Sequence, residues 1–247
     1  MRTKEDAARS VAVGIFCKTP AAGFSKTRLS PPLKPEDCSA ISACFISDLA
    51  STIDALGGDV APYAVYTPAG TEPALRALLP SSFSLMLQCD GEFGTRLSHA
   101  ISNLLHAGHA GAILVNADSP TLPASILQAA VDALLHEDAV VLSPSFDGGY
   151  TLVGLSRPHP EVFADIPWST SQVHGLTMQR AAEIDVPVIN VPDWYDVDDN
   201  ETLQLLKAEL AGASLPFAAP GIKGAEALAT RRFLASRLAV LELEASW

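Results

Sequence analysis

Four groups of residues in this chain have the types and spacing that chemistry on a phosphorylated ligand needs. Lys18, Gly23, Lys26 and Arg28 lie in FCKTPAAGFSKTRLSPPL, Phe16 to Leu33, which with Lys34 gathers positive charge in a chain that is otherwise acidic. Carboxylates gather elsewhere: Asp118 in Asn116-Ala117-Asp118-Ser119-Pro120, Asp147 in Ser145-Phe146-Asp147-Gly148-Gly149, and Asp193, Asp196, Asp198 and Asp199 in the run from Asp193 to Asp199. Carboxylates beside a phosphate repel it unless they hold a hard cation, in which case Mg²⁺ or Mn²⁺ inverts the local field and bridges phosphate oxygens. Lys and Arg neutralise the remaining charge, Arg28 with a planar fork that suits phosphate. A diphosphate is the natural occupant of such a site. Asp118 with one of Asp147, Asp196 or Asp198 is sufficient, because these ions keep waters and substrate oxygens in their shell.

Each group has a plainer reading. The Gly23 loop can be an ordinary strand-to-helix turn with solvated cations, Asp118-Ser119-Pro120 a helix cap, Asp147-Gly148 a hairpin turn, and Asp196 to Asp199 a solvated run in which Asp199 caps a helix. Spacing excludes a Walker A loop, which needs G-x-x-x-x-G-K-[ST], and no G-x-G-x-x-G follows the first strand, which argues against a dinucleotide-binding oxidoreductase. His106 and His109 read as a solvated pair at a helix end, whereas His174 lies near enough to Pro167-Trp168-Ser169-Thr170 to reach a ligand. Trp168 either stacks on a base or sugar or fills a gap.

The elements that must position these groups follow from the pattern of apolar residues. Runs of strand length alternate with helix-period segments, which specifies an α/β domain with a largely parallel sheet. Strands are expected at 11–17, 60–67, 83–88, 110–117, 139–145 and 186–191, with a return strand over 148–155 reached by a tight turn. Pro62 pushes the second strand toward a sheet edge or a strand end. Helices are expected at 35–56, 71–79, 92–108, 124–137, 171–183 and 200–210. In open α/β sheets ligands bind beyond the carboxyl ends of the strands, and the cations and carboxylates named above all follow strand ends. Residues 211–224, rich in Ala, Pro and Gly, read as a linker. The apolar stripe of Leu228, Phe233, Leu234, Leu238 and Leu241 marks a last helix that packs on the domain or forms a homodimer arm.

The whole-chain totals narrow the partners. A formal net charge of −12 and a pI near 4.8 argue against nucleic acid or an anionic membrane surface as a non-specific partner. Residues 1–10 mix charges without an apolar core and read as a disordered leader rather than a signal peptide. No run of about 18 apolar residues appears, so the expected location is cytoplasmic and no membrane span is expected. Cys17, Cys38, Cys44 and Cys89 are irregularly spaced, which fits reduced and mostly buried thiols.

Five motifs in order resemble a bacterial family of the glycosyltransferase-A-like, nucleotide-diphospho-sugar transferase superfamily, some members of which are identified as arsenosugar biosynthesis glycosyltransferases. They are F-x-K-x-P-x-x-G-x-x-K-T-R-L (Phe16 to Leu29), A-D-S-P-x-L (Ala117 to Leu122), D-G-G-Y-x-L-x-G-L (Asp147 to Leu155), P-W-S-T (Pro167 to Thr170) and D-V-D-D (Asp196 to Asp199). The resemblance covers about residues 11 to 210. Thr27-Arg28-Leu29-Ser30-Pro31 is also similar to the T-R-L-x-P of sugar-nucleotide pyrophosphorylases, and K-x-R-L to phospholactate and molybdenum-cofactor guanylyltransferases.

The resemblance implies a Rossmann-like glycosyltransferase-A fold, a three-layer α/β/α sandwich with an added C-terminal helix. It further implies that Lys18, Gly23, Lys26, Thr27 and Arg28 contact the phosphates, and that Asp118 takes the place of the metal-binding acid. The glycosyltransferase D-x-D is absent, since Ser119-Pro120 follows Asp118, so Asp198 is the expected second metal ligand. Asp147 is the candidate to orient or deprotonate an acceptor hydroxyl, with Ser119, Gly148, Gly149, Tyr150 and Trp168 as substrate contacts and Lys26 and Arg28 stabilising the departing diphosphate. The expected activity is metal-dependent glycosyl transfer from a nucleotide-diphospho-sugar to a small-molecule acceptor. The alternatives are nucleotidyl transfer to a phosphorylated small molecule, which the missing pyrophosphorylase G-x-G disfavours, and a non-catalytic nucleotide-binding protein.

Overall fold

The computed structural model describes the backbone of residues 10–244 and the side chains up to residue 237. The first strand, β1 (Val11–Lys18), reads as one apolar run because it is covered on both faces and paired on both edges. It pairs in parallel with β2 (Val60–Thr67) on one side and with β4 (Gly111–Asn116) on the other. With β3 (Ser84–Leu87), β5 (Val140–Pro144), β6 (Tyr150–Leu155) and β7 (Val188–Asn190) these make one seven-stranded sheet in the order β3-β2-β1-β4-β6-β5-β7. Among the described strands only β6 runs antiparallel, slotted between β4 and β5 as the return strand that the Gly148-Gly149 turn implied. The chain winds outward from β1 through β2 to β3 and then restarts with β4 on the opposite side of β1. The crevice for a ligand therefore opens at the carboxyl ends of β1 and β4.

Among the described residues, seven helices cover the sheet. They are α1 (Pro35–Leu56), α2 (Glu72–Arg76), α3 (Phe93–His106), α4 (Ala124–His136), α5 (Val173–Glu183), α6 (Asn200–Leu210) and α7 (Leu228–Glu244), with 3₁₀ turns at Thr27–Leu29 and Pro160–Phe163 that periodicity did not signal. Alternation along β1 divides the core: Val11, Val13, Ile15 and Cys17 join the cluster with α1, α4 and α6, while Ala12 joins the cluster with α3 and the Pro160–Phe163 turn. Helix α1 opens with proline in its first turn, followed by Glu36 and Asp37, and stops at Gly57 in a positive-φ conformation (φ 59°). By length and composition α1 could cross a membrane, but its apolar face, from Ile41 through Phe45 and Leu49 to Ile53, lies wholly inside the core.

Three expectations need correction. β2 is an internal strand and β3 forms the edge, so the sheet-edge placement fails while the strand-end one holds: Pro62 lies near the start of β2, and β3 pairs only with Tyr63 to Tyr66, leaving Pro62 unpaired on that side. Residues 211–224 are not a free linker, since Leu215, Phe217, Ala218 and Ile222 pack on the core and the Phe217 ring meets Phe146, Trp194 and Tyr195 at centroid distances of 4.1, 6.0 and 5.8 Å. Nor are the histidines a solvated pair: His106 is exposed, but His109 bridges Ser10 Oγ (2.9 Å) and Tyr63 Oη (3.0 Å).

Helix α7 packs on α1 of the same chain. The buried Asp48 carboxylate accepts from the backbone N–H groups of Ala229 (2.8 Å) and Thr230 (2.9 Å), satisfying two donors that a helix start leaves open. Arg237 pairs with Asp37, and Arg231 donates to the carbonyl of Leu210. The four described cysteines are free thiols, and burial pushes Cys17 up to about 12. The leader through residue 9 and the side chains of Leu238 and Leu241 lie outside the described residues.

Candidate active site

The cation loop begins where β1 ends. Lys18 is exposed at the strand terminus, Gly23 turns the chain with φ 78°, and the buried Ser25 hydroxyl accepts from the Ala21 amide at 3.0 Å. Lys26 has φ 49°, a left-handed conformation uncommon for a residue with a Cβ. Its side chain turns inward, only 7% exposed, and its ammonium donates to the Val197 carbonyl (2.6 Å), to Asp118 Oδ1 (2.7 Å) and to Asp198 Oδ1 (2.9 Å). Burial opposes the charge on Lys26, yet Asp118 and Asp198 outweigh it and hold its pKa above the usual lysine value. The 3₁₀ turn that follows buries Leu29 and leaves Thr27 and Arg28 exposed.

Asp118 is aimed by the end of β4. Asn116 Oδ1 accepts from the Asp118 amide (3.3 Å) and from Ser119 Oγ (2.9 Å), a local side-chain turn that ends the strand. The segment after β7 then crosses the strand ends, held by Trp194 N to the Pro144 carbonyl (3.1 Å) and Val197 N to the Asp118 carbonyl (2.8 Å). Trp194, Tyr195 and Val197 are buried along it, and Asp196 and Asp198 line the site. Asp196 accepts from Ser145 Oγ at 2.8 Å; burial first, then the neighbouring Asp198, pushes its pKa up to about 6. Asp199 caps α6 in a capping box with Thr202, as its plainer reading had it.

Asp147 is exposed on the turn before β6 and accepts from the Gly149 amide at 2.9 Å. Gly148 has φ 86°, its carbonyl accepts from the His174 amide (2.8 Å), and a Cβ there would fall 2.2 Å from the Ser171 carbonyl oxygen. Only glycine fits this close approach.

Two cavities meet over these residues. The smaller, about 390 Å³, is lined by Lys18, Lys26, Thr27, Arg28 and Arg96, with Phe24, 82% exposed, at its edge. The larger, about 510 Å³, is lined by Asp147, Gly149, Tyr150, Trp168 and Asp196. Arg28, Asp118 and Asp198 line both. Gly23 shapes the loop without lining either cavity, Gly148 is used in the clamp on Ser171, and Ser119 is fully buried on Asn116 rather than facing a substrate. His174 bonds Asn190 at 3.0 Å and lines neither cavity.

Sequence reasoning missed Gln88 and Arg96. Gln88 Nε2 donates to the carbonyls of Cys17 (3.0 Å) and Val65 (2.8 Å), while its Oε1 accepts from Arg96 Nη1 (2.8 Å). The guanidinium lies 5.7 Å from the Phe16 ring and 5.5 Å from the Phe93 ring, and its buried Nε has no hydrogen-bond partner. The available signal was an arginine in the first turn of a helix that starts soon after a strand end.

The metal implied by the resemblance can be tested against the donor set. Oxygens of Asp118 and Asp198 already converge on one cationic centre, the Lys26 ammonium, and both are the hard ligands that Mg²⁺ and Mn²⁺ take. No group of three or more His, Cys, Asp or Glu side chains arranged for a metal occurs among the described residues. Asp118 and Asp198 are thus the residues that would hold such an ion beside Lys26, as two protein carboxylates suffice for these metals.

Residues 52–170 match the sequence model of a family described as uncharacterized proteins conserved in bacteria (DUF2064). No curated protein matches the chain in sequence. Among solved structures, a candidate nucleotide-diphospho-sugar transferase from Desulfovibrio desulfuricans G20 is 25% identical with a TM-score of 0.78, covering 94% of this chain and 97% of that one. A cytidylyltransferase from Leptospira borgpetersenii serovar Hardjo-bovis is 10% identical with a TM-score of 0.56, covering 94% and 96%. A CMP:2-keto-3-deoxy-manno-octonic acid synthetase complexed with CTP is 12% identical with a TM-score of 0.55, covering 82% and 98%. The last two share the fold. The chain is thus a transferase with the fold of the nucleotide-diphospho-sugar transferase superfamily.

Proposed function

We propose that the protein transfers a glycosyl group from a nucleotide-diphospho-sugar to a small-molecule acceptor in a metal-dependent reaction. The observation that carries this reading is the junction of a cation-lined cavity and a carboxylate-lined cavity at Asp118 and Asp198. A donor with its diphosphate in the first and its sugar directed toward the second has each part in surroundings of suitable charge. Lys18, Thr27 and Arg28 bind the diphosphate, and Arg28, which lines both cavities, offsets the charge that grows on it as it leaves. Asp118 and Asp198 hold Mg²⁺ or Mn²⁺, which supplies Lewis-acid neutralisation of the leaving group when bound. Lys26 keeps those two carboxylates converged and, like Arg28, contributes positive charge beside the diphosphate. Asp147 orients the acceptor hydroxyl and takes its proton as the new carbon–oxygen bond forms and the bond to the diphosphate breaks.

A thermal-shift series tests this, with nucleoside triphosphates, diphosphates and nucleotide-sugars each measured with and without Mn²⁺. A ligand at about a hundred times its dissociation constant stabilises by roughly 2.7 kcal/mol. The reading expects the largest shift from a nucleotide-sugar with Mn²⁺, and a larger one from triphosphates than from any nucleotide-sugar removes it. Nucleotidyl transfer to a phosphorylated small molecule is the second reading, favoured by the fold shared with cytidylyltransferases.

A further inference from the structure

We infer that the acceptor is an uncharged, hydroxyl-rich molecule with a sugar-like ring, seated in the larger cavity; this rests on the glycosyl-transfer reading above. The charged wall of that cavity consists of Asp118, Asp147, Asp196 and Asp198 against Arg28 alone. Asp118 and Asp198 are taken up by Lys26 and, in the reading above, by the metal, which leaves Asp147 and Asp196 facing an occupant without an ion-pair partner among the described residues. Arg28 is shared with the cavity assigned to the diphosphate. A phosphate or carboxylate on the acceptor would meet the Asp147 and Asp196 carboxylates, whereas hydroxyl groups can donate to the oxygens that Gly149 and Ser145 leave available on them.

The apolar wall agrees. Phe93 and Trp168 meet edge to face with centroids 4.9 Å apart, Phe16 stands edge to face on Phe93 at 5.6 Å, and Tyr150 continues the wall. Rings placed beside a few polar groups suit the C–H face of a saturated ring whose hydroxyls point to its rim. The neighbouring cavity has the opposite balance, with Lys18, Lys26, Arg28 and Arg96 against Asp118 and Asp198. The contrast sorts an anionic donor from a neutral acceptor.

Saturation-transfer NMR on the full chain, with methyl β-glucopyranoside and myo-inositol as uncharged probes and 3-phosphoglycerate and glucose 1-phosphate as anionic ones, tests the inference without requiring turnover. The uncharged probes are expected to bind at least about tenfold more tightly than the anionic ones, a ratio equivalent to about 1.4 kcal/mol. Asp147→Asn with Asp196→Asn is expected to narrow that ratio, with folding checked by circular dichroism. Equal or tighter binding of the anionic probes, no binding of the uncharged ones, or an unchanged ratio in the folded double variant overturns it. The thermal-shift series reports separately on the donor. If nucleotide-sugars are preferred there and anionic acceptors win here, this inference alone fails; if triphosphates are preferred, the glycosyl-transfer reading fails.

Discussion

The Lys26 ammonium lies 2.7 Å from Asp118 Oδ1, and it reaches there from a left-handed backbone at φ 49°. Strain of this kind costs roughly 1–3 kcal/mol and persists only where the surroundings over-determine it. Here the contacts to Asp118, Asp198 and the Val197 carbonyl hold it. Lys26 is mostly buried and its partners are half exposed, so Lys26→Met is expected to cost about 1–3 kcal/mol, less than the loss from a fully buried pair. The two carboxylates are then left without their cation. Mn²⁺ is expected to raise the melting temperature of the variant more than that of the parent, and an equal effect on both would separate the aspartates from metal binding.

Gly148→Ala tests the clamp that places Asp147. A methyl group there would be driven into the Ser171 carbonyl, and φ 86° disfavours any side chain. A loss of at least about 2 kcal/mol in urea unfolding is expected, together with loss of acceptor-stimulated activity. Gly175→Ala is the control, since nothing lies within 4 Å of a Cβ there.

Asp48→Ala should release the C-terminal helix without touching the site. Two N–H groups lose their acceptor, which costs about 1–3 kcal/mol. Limited trypsin digestion checks it: faster cleavage at Lys223 than in the parent is the expected result, and unchanged cleavage would mean that Arg237–Asp37 and Leu234 hold the helix unaided.

Glu209 gives a pH dependence. Burial raises its pKa above the usual glutamate value, although the Tyr195 hydroxyl donates to it at 2.5 Å. A raised carboxyl pKa contributes stability that is complete in acid, below the unfolded value, and is lost as pH rises through the folded value. Glu209→Gln keeps an acceptor for Tyr195 and removes the charge. Its melting temperature relative to the parent should therefore be least favourable near pH 4 and improve toward pH 8, whereas a pH-independent difference would contradict the assignment.

Most of the element order was legible because the central strands are buried on both faces and helices such as α1 and α3 carry apolar stripes. VAVGIFC and AGAILVNA became the two strands that flank the crevice. Residues whose roles depend on distant neighbours were less legible. Ser119 stands beside Asp118 in sequence yet turns into the core, because Asn116 accepts from both the Asp118 amide and the Ser119 hydroxyl. Arg96 was not singled out, because its place depends on Gln88, which two carbonyls of neighbouring strands fix. Lys26 stood out in the sequence for its charge, but its pairing with the two candidate metal ligands depends on a left-handed turn that the sequence does not announce.

That pairing joins positions 172 residues apart along the chain. Contacts between such distant positions carry the largest loop-closure cost and form after local structure is in place. During synthesis the cation loop and Asp118 emerge long before Asp198 can reach them. The site is therefore completed only when nearly all of the sheet has assembled, and a chain interrupted before residue 198 would carry the cation loop without one of the two carboxylates that Lys26 pairs with.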